Sequence, residues 1–112
     1  MITLSHPTIK DYNLNLESLL GPENAVSFRG RVISKNEINL PSYWEEFVEQ
    51  TSISVHLTPV GSHQNVIVKR IGENKVFLQA QGGMPIDCYY LVIGERKDVP
   101  KLKAEQRVAT ED

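Results

Sequence analysis

The pattern of apolar and polar positions along this chain is dominated by short stretches with a period of two. In residues 51–60 the apolar side chains Ile53, Val55 and Leu57 alternate with polar ones, which indicates a half-buried β-strand. Pro59 closes this stretch, because proline cannot donate to a β-ladder. Five further stretches rich in β-branched or alternating residues predict strands, and turn residues separate them. These strands cover residues 25–33, 37–40, 65–71, 75–81 and 87–95.

Six short strands at this spacing predict an all-β fold: a single small antiparallel β-sandwich or barrel-like domain. One short helix is predicted near 41–48, where Pro41 suits the helix start and Glu45 and Glu46 favour the early turns. Strand 87–95 is apolar on both faces. That composition is expected for a central strand or for one covered by another subunit.

The charged residues divide the chain into three parts. Residues 1–50 carry eleven of them, residues 51–94 carry five, and residues 95–112 carry ten. We therefore expect an N-terminal arm or strap over 1–24, a core domain over 25–96, and a charged, flexible tail over 97–112. The pattern leaves the arm open between a strand, a helix and a strap packed on a neighbour. Its leucines are Leu14, Leu16, Leu19 and Leu20.

Charge and composition exclude several classes of partner. The net charge of −2 over 112 residues leaves no polybasic surface, so nucleic acid is not the expected partner. No run of about twenty apolar residues is present, so no membrane insertion is expected. The first residues lack the basic start and apolar run of a secretory signal. A single cysteine forms no internal disulfide and supplies too few thiolates for a cysteine-based zinc site.

One group of residues resembles a nucleophilic set: Cys88 with His56, His63 and Asp87. A catalytic thiol needs a nearby imidazole and a third group that orients it. Cys88 instead lies inside an apolar strand with no glycine-rich elbow, so a small buried hydrophobe is the favoured interpretation. No catalytic residue is assigned, and we expect the protein not to be an enzyme.

The three histidines, His6, His56 and His63, are too scattered along the chain to predict a metal site within one copy. The minority hypothesis is that a symmetric trimer brings three copies of His56 or His63 together on its axis. No metal ligand and no cofactor are assigned.

Two aromatic pairs, Tyr43-Trp44 and Tyr89-Tyr90, are the candidates for contact with a glycan or a second subunit, together with His56. Aromatic rings stack on sugars, and they also fill cores and interfaces. Core or interface packing is the favoured role, with Trp44 closing one end of the sandwich. Strand alternation turns one of Tyr89 and Tyr90 inward and the other outward.

Several phrases of the chain resemble a β-rich module of tailed-bacteriophage virion proteins. The most specific piece is residues 55–63, VHLTPVGSH, followed about thirty residues later by an apolar strand that ends in GERKD at 94–98. In T-even-like phages of marine cyanobacteria this module occurs in tail-fibre-like and other structural proteins. The resemblance covers residues 28–98, and its remaining phrases are residues 30–34, 37–44 and 66–69.

The resemblance implies a non-enzymatic virion component associated with the tail fibre, neck or baseplate. It implies a homo-oligomer, with a trimer preferred because fibre proteins assemble around a threefold axis. Other virion proteins are the implied partners, with host-surface glycan adhesion as a further role, and the implied location is the virion after synthesis in the host cytoplasm. The alternative is a free-standing carbohydrate-binding module that uses Trp44 or Tyr89/Tyr90. The residues themselves support the oligomer, because a small sandwich has only one interior and the excess apolar face of strand 87–95 suggests burial by another subunit.

Overall fold

The computed structural model describes residues 2–17, 22–105 and 108, and over these residues the fold is all-β. Eight strands form three antiparallel sheets, and one short helix accompanies them. The strands are β1 (Ile2–Ser5), β2 (Asn13–Leu16), β3 (Ala25–Ile33), β4 (Glu37–Asn39), β5 (Ser54–Pro59), β6 (Val66–Gly72), β7 (Lys75–Ala80) and β8 (Asp87–Glu95). The helix α1 spans Trp44–Phe47.

The first three-stranded sheet has the order β3-β8-β5. β8 is its central strand, paired along its whole length with β3 from Ala25↔Glu95 to Ile33↔Asp87. On its other side β8 pairs with β5 from Ser54↔Ile93 to Pro59↔Cys88. The two-faced apolar composition of residues 87–95 thus belongs to a central strand, one of the two placements that the composition allowed.

The second three-stranded sheet has the order β4-β7-β6. A register shift between Val68 and Arg70 interrupts the pairing of β6 with β7. The two strands are joined by a tight turn at Glu73 and Asn74, which both adopt positive φ, of 55° and 56°. Positive φ at both central residues is the geometry of the two-residue hairpin turn that matches the twist of paired strands.

The core lies between these two sheets and is closed at one end by α1. The inward side chains of both sheets meet there because strand alternation sends every second residue to the same face. Trp44 and Val48 are fully buried, and the Trp44 ring packs edge-on against Phe28 with centroids 5.3 Å apart. Gly94 lies under Val48 and Trp44, where a Cβ atom would collide with the Val48 side chain. The predicted closure of one end of the sandwich by Trp44 is what the structure contains.

A separate two-stranded hairpin of β1 and β2 accounts for most of the predicted arm. Leu4 and Leu16 pack against the core, and Leu14 is buried. The sequence pattern left strand, helix and strap open for this segment, and residues 2–5 and 13–16 are strands. Leu19 and Leu20 lie outside the described residues.

The predicted sandwich with one short helix agrees with the structure, and the bounds differ most at the helix and at the start of β5. The helix predicted near 41–48 is confined to Trp44–Phe47, because residues 42 and 43 form a turn in which the Trp44 N–H donates to the Pro41 carbonyl. The strand predicted from residue 51 begins at Ser54, because residues 50–52 form a 3-10 turn. In the described part of the tail, residues 97–105 and 108, the chain has no strand or helix.

Candidate functional site

The outward side of the β3-β8-β5 sheet is the candidate functional surface, called here the outer face. Tyr89, Leu91 and Ile93 of β8 point to this side, and we call them the apolar stripe. Tyr89 is 53% exposed and Leu91 38%, and Ile33 at the end of β3 is 54% exposed. Large apolar side chains in a row on an exposed sheet face are typical of a contact surface.

Cationic and acidic groups border one end of this stripe. The Arg31 guanidinium donates to both carboxylate oxygens of Asp87, at 2.8 and 2.9 Å, and lies 5.5 Å from the Tyr89 ring centre. This bidentate pairing holds the pKa of Asp87 below its ordinary value and raises the pKa of Arg31. The pair therefore stays charged at neutral pH beside the Tyr89 ring.

The β5 side of the outer face carries the neutral polar residues Ser54, His56 and Thr58. His56 lies opposite Leu91, and its Nε2 atom is 3.3 Å from the Ser54 hydroxyl oxygen. Among the residues that the structure describes, no carboxylate hydrogen-bonds to His56, so this contact lacks the third group that orients a catalytic base. The two side chains are exposed polar neighbours of the stripe.

The structure separates the five predicted contact residues. Tyr89 and His56 lie together on the outer face, as a contact surface requires. Tyr90 points inward, where its ring packs over Gly30 and makes an edge-on contact with Phe28 at 5.6 Å between centroids. An aromatic ring over a strand glycine fills the space that the missing side chain leaves. Of the two adjacent tyrosines, Tyr89 is therefore the outward one.

The assignment of Trp44 to a glycan or subunit contact is corrected by its burial. Its exposure is 0%, so neither ring face is open to a sugar or to a second chain in this fold. Its indole N–H is also buried without an acceptor among the described residues. Tyr43 is half-buried, with edge-on ring contacts to His6 at 6.0 Å and Phe47 at 6.2 Å. Tyr43 thus joins the N-terminal hairpin to α1 and is not part of the outer face.

The members of the supposed nucleophilic set are also apart. Cys88 is fully buried, and burial, followed by the nearby Asp87 charge, raises the pKa of its thiol. A raised thiol pKa lowers the thiolate fraction, which is the opposite of what a nucleophile needs. His56 is exposed on the outer face and His63 is exposed in the turn after β5. The described residues contain no group of three His, Cys, Asp or Glu side chains that could hold a metal ion.

The sequence did not predict the structural role of Gln64. Gln64 bridges the chain at the end of the sheet: its side-chain amide donates to the Val60 and Asp87 carbonyls and accepts from the Asp87 N–H at 3.0 Å. A glutamine beside a turn carries no signal of such a role. The apolar stripe, by contrast, was visible as the alternation of Tyr89, Leu91 and Ile93. What the pattern could not supply was the side of the sheet that faces the core.

Two further findings concern membrane-spanning helices and similarity to known proteins. No helix in the described part of the molecule has the length and apolar character needed to cross a membrane. Comparison with protein-family models, with curated proteins and with solved structures finds no match.

Proposed function

We propose that this chain is a non-enzymatic structural component of a tailed-bacteriophage particle and that it docks to neighbouring subunits through its outer face. The observation that carries the proposal is the exposed apolar stripe. Tyr89, Leu91 and Ile33 stay accessible in the isolated chain, although β8 is the central strand of its sheet. Burying such side chains against a second subunit contributes about 25 cal/mol per Å² of apolar surface.

The resemblance of residues 28–98 to β-rich virion modules supports the particle context. Tail-fibre, neck and baseplate positions are its three candidate places, and a homo-oligomer with a threefold axis is its preferred assembly. The outer face suits such packing because its centre is apolar and its margins are polar, which is the general anatomy of subunit interfaces.

Light scattering of the purified 12.7 kDa chain at micromolar concentration tests the assembly. We expect a mass of several copies, and we expect Leu91→Lys to lower it, because a charge would be buried in the apolar centre of the contact. The matched control is Ile67→Lys, at an outward and more exposed position on the second sheet. A strict monomer at every concentration, or a mass that Leu91→Lys leaves unchanged, overturns docking through the outer face.

A second candidate function is glycan adhesion, and the exposed Tyr89 ring favours it. Rings on a solvent-facing sheet stack on sugar faces, and the adjacent Arg31 and His56 offer polar groups for hydroxyls. Glycan-array binding that Tyr89→Ala abolishes and Tyr12→Ala preserves would support adhesion. Tyr12 is a suitable control because it is 63% exposed in the β1–β2 loop. Equal binding by both variants would exclude Tyr89 as the stacking platform.

A further inference from the structure

The edges of the two three-stranded sheets differ in how they are guarded against pairing with another strand. Exposed main-chain groups of an edge strand form a template for a further strand unless charges, prolines, bulges or short length protect them. β3 carries the exposed residues Arg29 and Arg31. β4 has only three residues. β6 carries Lys69 and Arg70, and its ladder is interrupted between Val68 and Arg70.

Within the part of the chain that the structure describes, β5 is the edge of these sheets whose protection is confined to a proline at its last position. It has six residues, its register with β8 is continuous, and no formal charge occurs between Thr51 and Val68. The one interruption is Pro59 at its end, which has no N–H. An unguarded edge of this length is the usual site of strand addition.

One hydrogen bond shows which main-chain groups of β5 lie on its free side. The N–H of Val60 donates to the Asp87 carbonyl at 2.9 Å, so residue 60 points its main chain toward β8. In an antiparallel ladder this orientation recurs at every second residue. The main-chain N–H and C=O groups of Thr58, His56 and Ser54 therefore point toward β8. Val55 and Leu57 direct both their N–H and C=O groups to the free edge, where no described residue bonds them.

We propose that a second copy of this chain pairs here, β5 against β5, antiparallel and centred on His56. The Val55 and Leu57 main chains of one copy then bond to Leu57 and Val55 of the second copy. The similarly long overlap centred on Leu57 would need the N–H that Pro59 lacks, which disfavours it. This inference deepens the proposed function, on which it rests for the need to assemble, and names the main-chain contact between copies.

Self-pairing of β5 is free of the charge repulsion that opposes self-pairing of β3. A β5–β5 pair brings no formal charge opposite another, whereas pairing β3 with its own copy would bring arginines together, and like charges opposite each other in a sheet are destabilising. The joined sheets would carry two apolar stripes on one continuous outer face. The contact is twofold, so it is distinct from a threefold packing through the outer face, and one chain can use both.

The register places Ser54 opposite Thr58 of the second copy, and this pairing allows a charge-exchange test. All these side chains are exposed on the outer face, so substitution leaves the core intact. Wild-type protein should have the mass of an even number of copies. Ser54→Lys with Thr58→Lys should weaken the twofold contact at least tenfold, and Ser54→Lys with Thr58→Glu should restore it. Gln79→Lys, exposed on β7 of the second sheet and away from the outer face, is the matched control and should leave the mass unchanged.

Cross-linking tests the register itself. His56 lies opposite its own copy in the pair without mutual hydrogen bonds, where Cα atoms approach to about 4.5 Å, within disulfide range. His56→Cys should therefore form a covalent dimer on mild oxidation. Ser54→Cys alone should not, while Ser54→Cys with Thr58→Cys should. The native thiol does not interfere, because Cys88 is buried.

The outcomes separate the two proposals. An assembly of three copies, or one that the double lysine variant leaves intact, overturns β5 pairing and leaves docking through the outer face in place. An assembly sensitive to Ser54 and Thr58 charges but insensitive to Leu91→Lys supports β5 pairing and overturns the outer-face contact. A monomer at every concentration overturns both, and an efficient cross-link at Ser54→Cys alone overturns the register.

Discussion

The two faces of β8 have nearly the same apolar composition and opposite environments. On the inner face Cys88 and Val92 are fully buried, and Gly94 is pressed against the side chains of α1 and its flank. On the outer face Tyr89 and Leu91 remain exposed. The same strand therefore stabilises the fold with one face and presents a contact surface with the other.

The two faces differ in burial because they contact different side chains. The inner face meets large side chains already held in place, above all Trp44 and Phe28. Among the residues that the structure describes, no such layer covers the outer face, and its polar neighbours come from β3 and β5 within the same sheet. Changes on the inner face should thus affect stability, and changes on the outer face should affect association.

The largest expected difference between the faces is chemical accessibility. Iodoacetamide should modify native Cys88 at least about a thousandfold more slowly than a thiol placed at the next residue by Tyr89→Cys. The inner position requires an opening of the sheet, which costs a large part of the unfolding free energy. Mass spectrometry of the variant against wild type measures both rates. Rapid labelling of native Cys88 would contradict its burial and revive a catalytic role for the thiol.

Truncating the inner face should cost the most stability. Trp44→Ala should lower the free energy of unfolding by about 3–5 kcal/mol, because a large buried ring is lost and a cavity remains. Trp44→Phe should cost less, since it also removes the unpaired indole N–H. Urea denaturation measures these changes, with Tyr89→Ala as the outer-face control, expected within about 0.5 kcal/mol of wild type. Equal losses for Trp44→Ala and Tyr89→Ala would remove the distinction between the faces.

Two glycines extend the comparison, because the same Gly→Ala substitution should change the free energy of unfolding in opposite directions. Gly94→Ala should destabilise by about 1–3 kcal/mol, because its Cβ would overlap the fixed side chain of Val48. Gly72→Ala would meet only the movable end of Arg70, at 3.3 Å, and should be neutral or stabilise by up to about 1 kcal/mol. Thermal or urea unfolding decides the signs, and a neutral Gly94→Ala would contradict the close approach.

The smallest expected effect concerns pH at the end of the sandwich beside α1. Arg96 donates to both oxygens of Asp98, at 2.9 and 2.7 Å, and this pairing holds the pKa of Asp98 below its ordinary value. A lowered folded-state pKa adds stability above the ordinary aspartate pKa, and that stability is lost as the pH falls through the folded-state value. Asp98→Asn should therefore cost less than about 1 kcal/mol at pH 7.

That cost should disappear in acid. Unfolding of wild type and Asp98→Asn at pH 7 and again below about pH 3 gives the difference at each pH. The exposed Glu105→Gln serves as the charge-matched control. A difference that persists unchanged in acid would assign the role of Asp98 to packing rather than to its ion pair with Arg96.

Much of the fold was predictable because alternation is a local signal. The six predicted strands correspond to β3–β8, and β5 ends at Pro59 as predicted. The hairpin of β1 and β2 could not be distinguished, since Leu14 and Leu16 fit a strand, a helix or a strap equally well. The late start of the helix at Trp44 depends on a turn at residues 42 and 43, which local charge and apolar pattern did not specify.

The candidate site was predictable in kind and only partly in membership. Tyr89 and His56 were among the expected contact residues and share the outer face. Trp44 was not separable from an exposed aromatic by sequence, because its burial depends on Phe28 and Gly94, which are distant along the chain. The ion pair of Arg31 with Asp87 was likewise hidden, since it requires the register of β3 against β8.

By itself the sequence determined six of the strands, β3–β8, and the absence of charge along β5, because each of these depends on residue type and local spacing. Only the tertiary structure decided which face of β8 turns inward, which tyrosine is exposed and which strands are edges. Those properties depend on contacts between segments more than fifty residues apart, such as β3 with β8. The free edge of β5 depends on both sequence and tertiary structure. The sequence determines that it is uncharged, and the order of the strands determines that it is an edge.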